Sequence, residues 1–350
     1  MSGKSRIVIR YSISFLLAFG FLYFAFRGVK LSELWESLKG ANYWWVALLI
    51  PLNILMNWVR AERWAQLLAP IKSPISKRTL FSGVMIGYAI NNVLPRVGEF
   101  VRPYIVGNRE GISRSSVFGT VVVERILDFM SFYFIVCVVL FLYPKSLDPF
   151  VNQPDAIRPL FLLGSIAALI IFVLLFFKAE ALFRLLAKVL RFLPDRQKEK
   201  AEIILDKFYT GFAVAKLRDK FGVILFQSFL IWGLNALIMF VPFFAFSTLV
   251  QSGMDFGASV VLLVITSFAW ILPAPGAMGT YHSFLKVAMV RLYGIDETTA
   301  LSYAIVTHEV GYLVVMVIAL YYYFHDHLHV SDLTNASTKE VGNDKRNYPK

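Results

Sequence analysis

Arg96, Glu99 and Arg102 stand at the end of an apolar segment, in the run N-N-V-L-P-R-V-G-E-F-V-R of residues 91–102. A guanidinium offers a planar fork of N–H donors that matches phosphate or carboxylate oxygens, and the amides of Asn91 and Asn92 add donors and acceptors beside it. Pro95 cannot continue a helix and Gly98 tolerates unusual backbone angles, so the chain is expected to break here and expose unpaired backbone groups. A second set, Glu124, Arg125 and Asp128, has its members three and four residues apart, which places all three on neighbouring positions of one helical face. A third set combines His308 and Glu309 with His282, which follows the turn P-A-P-G-A-M-G containing Pro273, Pro275, Gly276 and Gly279. The arginine forks suit a lipid phosphate, the carboxylates suit a cationic headgroup or protons, and histidine titrates near neutral pH. These residues are assigned together to substrate binding. The chain carries no nucleophile-elbow, zinc-helix or phosphate-loop pattern, so no catalytic residue, metal or cofactor is assigned.

The elements that must position these side chains are membrane helices. Of the 350 residues 57% are hydrophobic and 17% charged, against about 45–50% and 25% in soluble domains. That composition indicates an all-α polytopic membrane protein. A formal charge of +12 in a soluble chain would suggest nucleic acid, but here the bases fall between apolar runs, where they set orientation. Nucleic-acid binding is therefore discounted. Cys137 is the single cysteine, which excludes an internal disulfide and a thiolate metal cluster.

Six full spans are expected, over residues 7–26, 42–59, 116–143, 157–177, 222–250 and 298–324. Trp44, Trp45 and Trp58 are placed near the ends of the second, and Arg60, Arg63, Lys72, Lys77 and Arg78 mark the cytoplasmic connection after it. Asn235 and Pro242 predict a kink in the fifth. The segments 79–108 and 257–293 are read as re-entrant broken-helix pairs. Their apolar approaches, Thr79 to Leu94 and Gly257 to Leu272, are each 16 residues long, about 24 Å of helix against a hydrocarbon core of about 30 Å. Glu124 falls eight residues into its span and His308 ten residues into its own, depths at which charge is costly and usually serves a substrate or ion path. A mutually neutralised helix-packing cluster is the alternative for residues 124–128.

The halves repeat. L-P-R-V-G at 94–98 answers to L-P-A-P-G at 272–276, and V-V-E-R at 122–125 to V-T-H-E at 306–309. The first repeat occupies residues 1–178, including the span at 157–177 that opens the second repeat, and the rest of the second occupies 222–324. Between them lies a basic connector, 179–221, in which Arg184, Lys188 and Arg191 share one face of an amphipathic helix. The basic loops put both termini in the cytoplasm with the protein in the cell inner membrane, so the second half starts outside and the repeat is inverted. Interrupted apolar segments at matching places of two halves point to a transporter site near the midplane. The segment H-D-H-L-H at 325–329 offers metal-ligand types, but the preferred reading is a polar tail, 325–350, expected to be disordered.

These residues resemble the flippase-like family that includes the membrane region of bacterial lysylphosphatidylglycerol synthases. The family pattern N-x-x-L-P-x-R-x-G-E-x-x-R approximates Asn91–Arg102 with one residue fewer between proline and arginine. E-R-x-x-D matches Glu124, Arg125 and Asp128, P-x-P-G matches Pro273–Gly276, and R-x-x-R-W-x-x-L-L matches Arg60–Leu68. The resemblance covers residues 7–324 and implies lipid translocation, with a membrane phospholipid or polyprenyl-linked lipid as partner and a lipid-synthesis enzyme encoded separately. With the chain ending at Lys350, no aminoacyl-transfer domain is expected and the protein should not make aminoacyl-lipid by itself. The chain departs from the family pattern at Ala277, where a second glycine is expected, and at His282, where a glutamate is expected.

Two further function classes stand beside a lipid transporter: a membrane-embedded enzyme using a carboxylate as base on a lipid-linked substrate, and a non-transporting regulator of lipid synthesis. Cysteine-accessibility mapping in a Cys137-free background should label the Asn91–Arg102 turn from inside and the Pro273–Gly279 turn from outside. Labelling of both turns from one face would refute the inverted repeat.

Overall fold

The computed structural model describes residues 3–148, 154–178, 185 and 218–326, and among these the regular elements are α-helices and short 3-10 turns, with no strand. The first half contains α1 (Gly3–Phe26), α2 (Leu31–Lys39), α3 (Tyr43–Ala47), α4 (Leu49–Leu68), α5 (Lys77–Val93), α6 (Gly98–Glu110) and α7 (Arg114–Leu142). The second contains α8 (Pro154–Phe177), α9 (Phe221–Phe240), α10 (Ser247–Gln251), α11 (Phe256–Ala269), α12 (Thr280–Tyr293) and α13 (Glu297–His325). Five helical stretches are long and apolar enough to cross a membrane, and six if the pair α1 and α2, bent by 81°, counts as one span. The chain is an all-α polytopic membrane protein. The connector helix expected at Arg184–Arg191 and the tail beyond Asp326 lie outside the described residues.

Local chemistry sets the helix ends. Asn42, Ser76, Asp255 and Asp296 each accept a backbone N–H of the following helix, at 3.1, 3.3, 2.8 and 2.8 Å, so polar caps satisfy donors that a membrane interior would leave bare. The two interrupted pairs are α5 with α6 and α11 with α12. At 17, 13, 14 and 14 residues their arms are about 20–26 Å long, each short of a hydrocarbon core of about 30 Å. The α5–α6 pair packs on α13 and α7, while α12 packs on α13 and α1; α4 and α9 lie against each other between the halves. Buried apolar side chains form two main clusters, one around α5, α6 and the inner ends of α4 and α7, the other around α9, α11, α12 and α13. The outward faces are apolar too, as at Leu16 and Phe19 of α1, Leu160 and Leu163 of α8, Phe226 of α9 and Val317 of α13. Apolar surface on both sides of a helix is what lipid contact requires.

Three expected boundaries shift. The second span does not end at Val59: α4 runs to Leu68, which carries Arg60 and Arg63 into the protein and leaves Trp58 within the helix, its ring 5.5 Å from that of Phe81. The fifth does not run on to Val250, because at Pro242 the helix passes into a 3-10 turn, Val241–Ala245, and the chain re-starts as the separate α10. Residues 325 and 326 do not belong to a free tail. Asp326 accepts from Arg78 Nη2 at 3.0 Å and from Arg109 Nη1 at 2.5 Å, tying the far ends of α5 and α6 to the end of α13.

The α5–α6 crossing is backbone against backbone. A Cβ placed on Gly98 would lie 1.9 Å from the carbonyl oxygen of Gly87, and one on Gly87 would lie 2.3 Å from Arg102 Cγ. Small residues at such crossings let two helices approach closely. Gly98→Ala is expected to cost about 3 kcal/mol or more through overpacking, read as a large fall in the thermal midpoint of the purified protein. Gly164→Ala, whose Cβ meets nothing within 4 Å, should leave the midpoint unchanged. Equal behaviour of the two variants would show that the crossing is looser than described.

Candidate functional site

Both helix breaks use a non-glycine residue in the left-handed region. Arg96 has φ 68° and Ala277 has φ 55°, conformations that cost L-residues energy and persist where the surroundings impose them. At the first break the Asn91 side chain stands in for the missing helix: its Oδ1 accepts the Gly98 N–H at 2.7 Å and its Nδ2 donates to Glu99 Oε1 at 3.3 Å. At the second, Pro275 opens a single 3-10 turn and Gly276 has φ 54°. The two turns touch, since a Cβ on Gly276 would sit 3.2 Å from the Asn92 carbonyl oxygen. Depth alone did not require that lateral approach.

Around the first turn the side chains form one continuous ion network. Glu124 sits ten residues along α7 with no exposed side-chain surface; its Oε2 accepts from Arg102 Nη2 at 2.8 Å, and its Oε1 faces Arg125 Nη2 at 3.0 Å and Arg63 Nη2 at 3.5 Å. Asp128, one turn further, pairs with Arg63 at 2.6 Å, Arg125 at 3.3 Å and Arg60 at 3.8 Å. Glu99 lies 3.6 Å from Arg125 Nε. The hydroxyl of Tyr88 accepts from Arg60 at 2.9 Å and Arg125 at 3.4 Å, while Ser228 on α9 accepts from Arg63 at 3.0 Å. The Arg102 guanidinium stacks 4.4 Å from the centre of the Trp64 ring, whose Nε1 donates to Thr120. Four guanidiniums thus meet three carboxylates, an excess of one positive charge in the linked cluster. Arg63 Nε, Arg102 Nε and Arg102 Nη1 are buried without a hydrogen-bond partner, while Arg125 Nε and Glu99 Oε2, likewise unbonded, face each other at 3.6 Å. The network opens on one side, where the Arg125 side chain is 31% and the Glu99 side chain 22% exposed.

A second, separate cluster forms at the second turn. His308 Nε2 lies 2.8 Å from the Gly276 carbonyl oxygen and Nδ1 lies 3.0 Å from Glu309 Oε1. The His282 ring stands 4.8 Å from that of His308, with its Nε2 3.8 Å from the same carboxylate oxygen.

The residues read from sequence as one binding set therefore divide. Asn91, Glu99, Arg102, Glu124, Arg125 and Asp128 share one network, Gly276, His282, His308 and Glu309 share another, and among the described residues no hydrogen bond or ion pair joins the two. Asn92 and Gly276 form the contact between the turns. Gly98 serves the α5–α6 crossing, while Gly279, at φ 78°, admits α1, with Ala18 O only 2.5 Å from where its Cβ would stand. Arg96 and Pro273 are exposed and Pro95 half-buried. Arg60 and Arg63, expected as loop bases, are instead central, Arg63 being fully buried. A signal for them existed: Asn53, Met56, Asn57, Arg60, Arg63, Trp64 and Leu67 recur at three and four residues and continue one face of α4. Tyr88 and Ser228 carried no comparable signal.

Comparison with known proteins agrees with this architecture. A UPF0104 membrane protein of Methanothermobacter thermautotrophicus is 26% identical over 279 residues, 73% of this chain and 78% of that one. A second UPF0104 membrane protein, from Methanocaldococcus jannaschii, is 32% identical over 134 residues, 37% of this chain and 38% of the relative. A protein named glycosyltransferase AglD, from Haloferax volcanii, is 24% identical over 286 residues, 75% of this chain but 46% of that protein. The model of the lysylphosphatidylglycerol synthase transmembrane region matches residues 11–319, and with the fold and turns described above the chain belongs to that family.

Proposed function

We propose that the protein moves a lipid with a phosphate-bearing headgroup between leaflets, the headgroup passing over the arginine and carboxylate network beside the two turns. The observation that carries this reading is the charge imbalance of that network, with guanidinium N–H groups buried and unpartnered. Excess buried charge is costly, and a visiting phosphate supplies both the missing negative charge and the acceptor oxygens. The N-terminus of α6 begins at Gly98 within the same turn, and its dipole also favours an anion. A membrane phospholipid and a polyprenyl-linked lipid share this phosphate chemistry. On this reading the protein lies in the cell membrane with both termini cytoplasmic, and it transports without chemically altering its cargo. The name of the Haloferax relative favours a second reading, an enzyme acting on a lipid-linked substrate.

Reconstitution tests both. Vesicles holding the wild-type protein should expose a labelled anionic phospholipid from the inner leaflet faster than protein-free vesicles. Arg125→Gln, on the open side of the network, should slow this about tenfold, the equivalent of a charge-assisted hydrogen bond of about 1.5 kcal/mol, while the variant still purifies folded. Arg63→Gln removes a fully buried partner of Asp128 and should instead lower folded yield, since breaking a buried pair costs about 3–5 kcal/mol. If wild-type vesicles match protein-free ones, or Arg125→Gln matches wild type, the transport reading fails. Lipid recovered with altered mass would favour the enzyme.

A further inference from the structure

Three potential ligand atoms, from His282, His308 and Glu309, gather at the second turn. A carbonyl can only accept, so His308 Nε2 carries the hydrogen that it gives to Gly276 O at 2.8 Å, and in the neutral ring Nδ1 presents a lone pair. That lone pair faces Glu309 Oε1 at 3.0 Å, and His282 Nε2 faces the same oxygen at 3.8 Å. One ligand atom from each of the three residues lies within 4.8 Å of the others. The opposite nitrogen of His282, Nδ1, is buried and has no partner. His282 can turn an N–H toward the carboxylate, but the His308 Nδ1 lone pair, 3.0 Å from it, faces an acceptor until a cation lies between them. A proton can bridge two of the three atoms, whereas a divalent ion can serve all three.

Several features favour the ion. Metal-binding histidines usually donate their second N–H to a backbone carbonyl or carboxylate, which fixes the ring and its tautomer, and His308 does this to Gly276. Bonds of about 2.1 Å in tetrahedral geometry set ligand atoms about 3.4 Å apart; the two histidine-to-carboxylate pairs stand at 3.0 and 3.8 Å and all three atoms within 4.8 Å, so small side-chain shifts bring them to one ion. Two histidines and one carboxylate are a donor set for zinc and its neighbours, and three protein ligands leave a fourth position open. The Glu309 side chain is 39% exposed, so the cluster is accessible on that side. Trp270, Tyr281 and Tyr312 flank the His308 ring at 6.3, 5.2 and 6.2 Å between centroids and hold it in place.

We infer that His282, His308 and Glu309 form a binding site for one divalent transition-metal ion of the zinc class. The ligands come from α12 and from adjacent positions of α13, so the ion ties the helix after the second turn to the last span. The site is distinct from the arginine network and does not depend on the transport reading.

The test uses full-length protein purified without a histidine tag and carrying His325→Ala, His327→Ala and His329→Ala, which leaves His282 and His308 as the remaining histidines. After equilibration with zinc chloride and desalting, elemental analysis should find one zinc per chain, and cobalt chloride should give the visible absorption of four-coordinate cobalt. His282→Ala and Glu309→Gln should each weaken binding by at least the factor of about 10–100 that loss of an outer-shell partner costs. Absence of retained metal from this folded background would overturn the inference, as would stoichiometric metal that survives His282→Ala. Metal content is measured without lipid movement, so either result leaves the transport reading untouched.

Discussion

Glu124 is a carboxylate with no exposed surface, and three guanidiniums from three different helices reach it: Arg63 from α4, Arg102 from α6 and Arg125 from its own α7. An ionised group this deep is tolerated only where opposite charge and hydrogen bonds replace the lost water, so each of those helices is constrained by the same oxygen pair. The break in the first hairpin follows from this. Arg102 reaches Glu124 because α6 returns into the protein after Pro95, and a continuous helix would carry residue 102 well beyond α7's first turns. Tyr88 and Trp64, contributed by α5 and α4, line the guanidiniums with aromatic faces, which suit delocalised cations better than aliphatic ones.

The second hairpin meets the same geometrical demand with different chemistry. Its break carries no arginine, and the polar groups that accompany it are two histidines and one glutamate, held by the Gly276 carbonyl. The two hairpins are therefore alike in backbone form and divergent in side-chain chemistry. Each break places a non-glycine residue at positive φ, and each arm falls short of a bilayer's apolar thickness. The departures at Ala277 and His282 sit within this divergence: Ala277 occupies a backbone conformation suited to glycine, and His282 faces Glu309, where a glutamate would add a second carboxylate beside the first.

Much of this was legible in the sequence, for definite reasons. Apolar runs bounded by charge mark membrane helices, and the pairing of Pro95 with Gly98 and of Pro275 with Gly276 marks breaks, because both signals are local. Arg60 and Arg63 read as loop bases because charge density after an apolar run ordinarily signals a loop, and only partners far along the chain, 61 and 65 residues away for Arg63, make burial tolerable. The division of the titratable residues into two clusters was beyond reach for a related reason. Helix rise gives depth, but lateral position depends on which helices pack together, and Ser228 or Tyr88 enters the network only through that packing. The end of α13 shows the same limit, since Asp326 looks like tail composition until Arg78 and Arg109 are brought beside it.

The closeness of Gly98 to Gly87 bears on how access at this site can change. With main-chain atoms in direct contact, the two arms of the first hairpin have no side-chain layer to slide on, and they cannot open like scissors without losing their crossing. They form one moving part. Any shift of that hairpin relative to α13 would strain its polar tethers at the far end, where Arg78 and Arg109 hold His325 and Asp326. Motion at the site and strength of that peripheral latch are in this way mechanically linked.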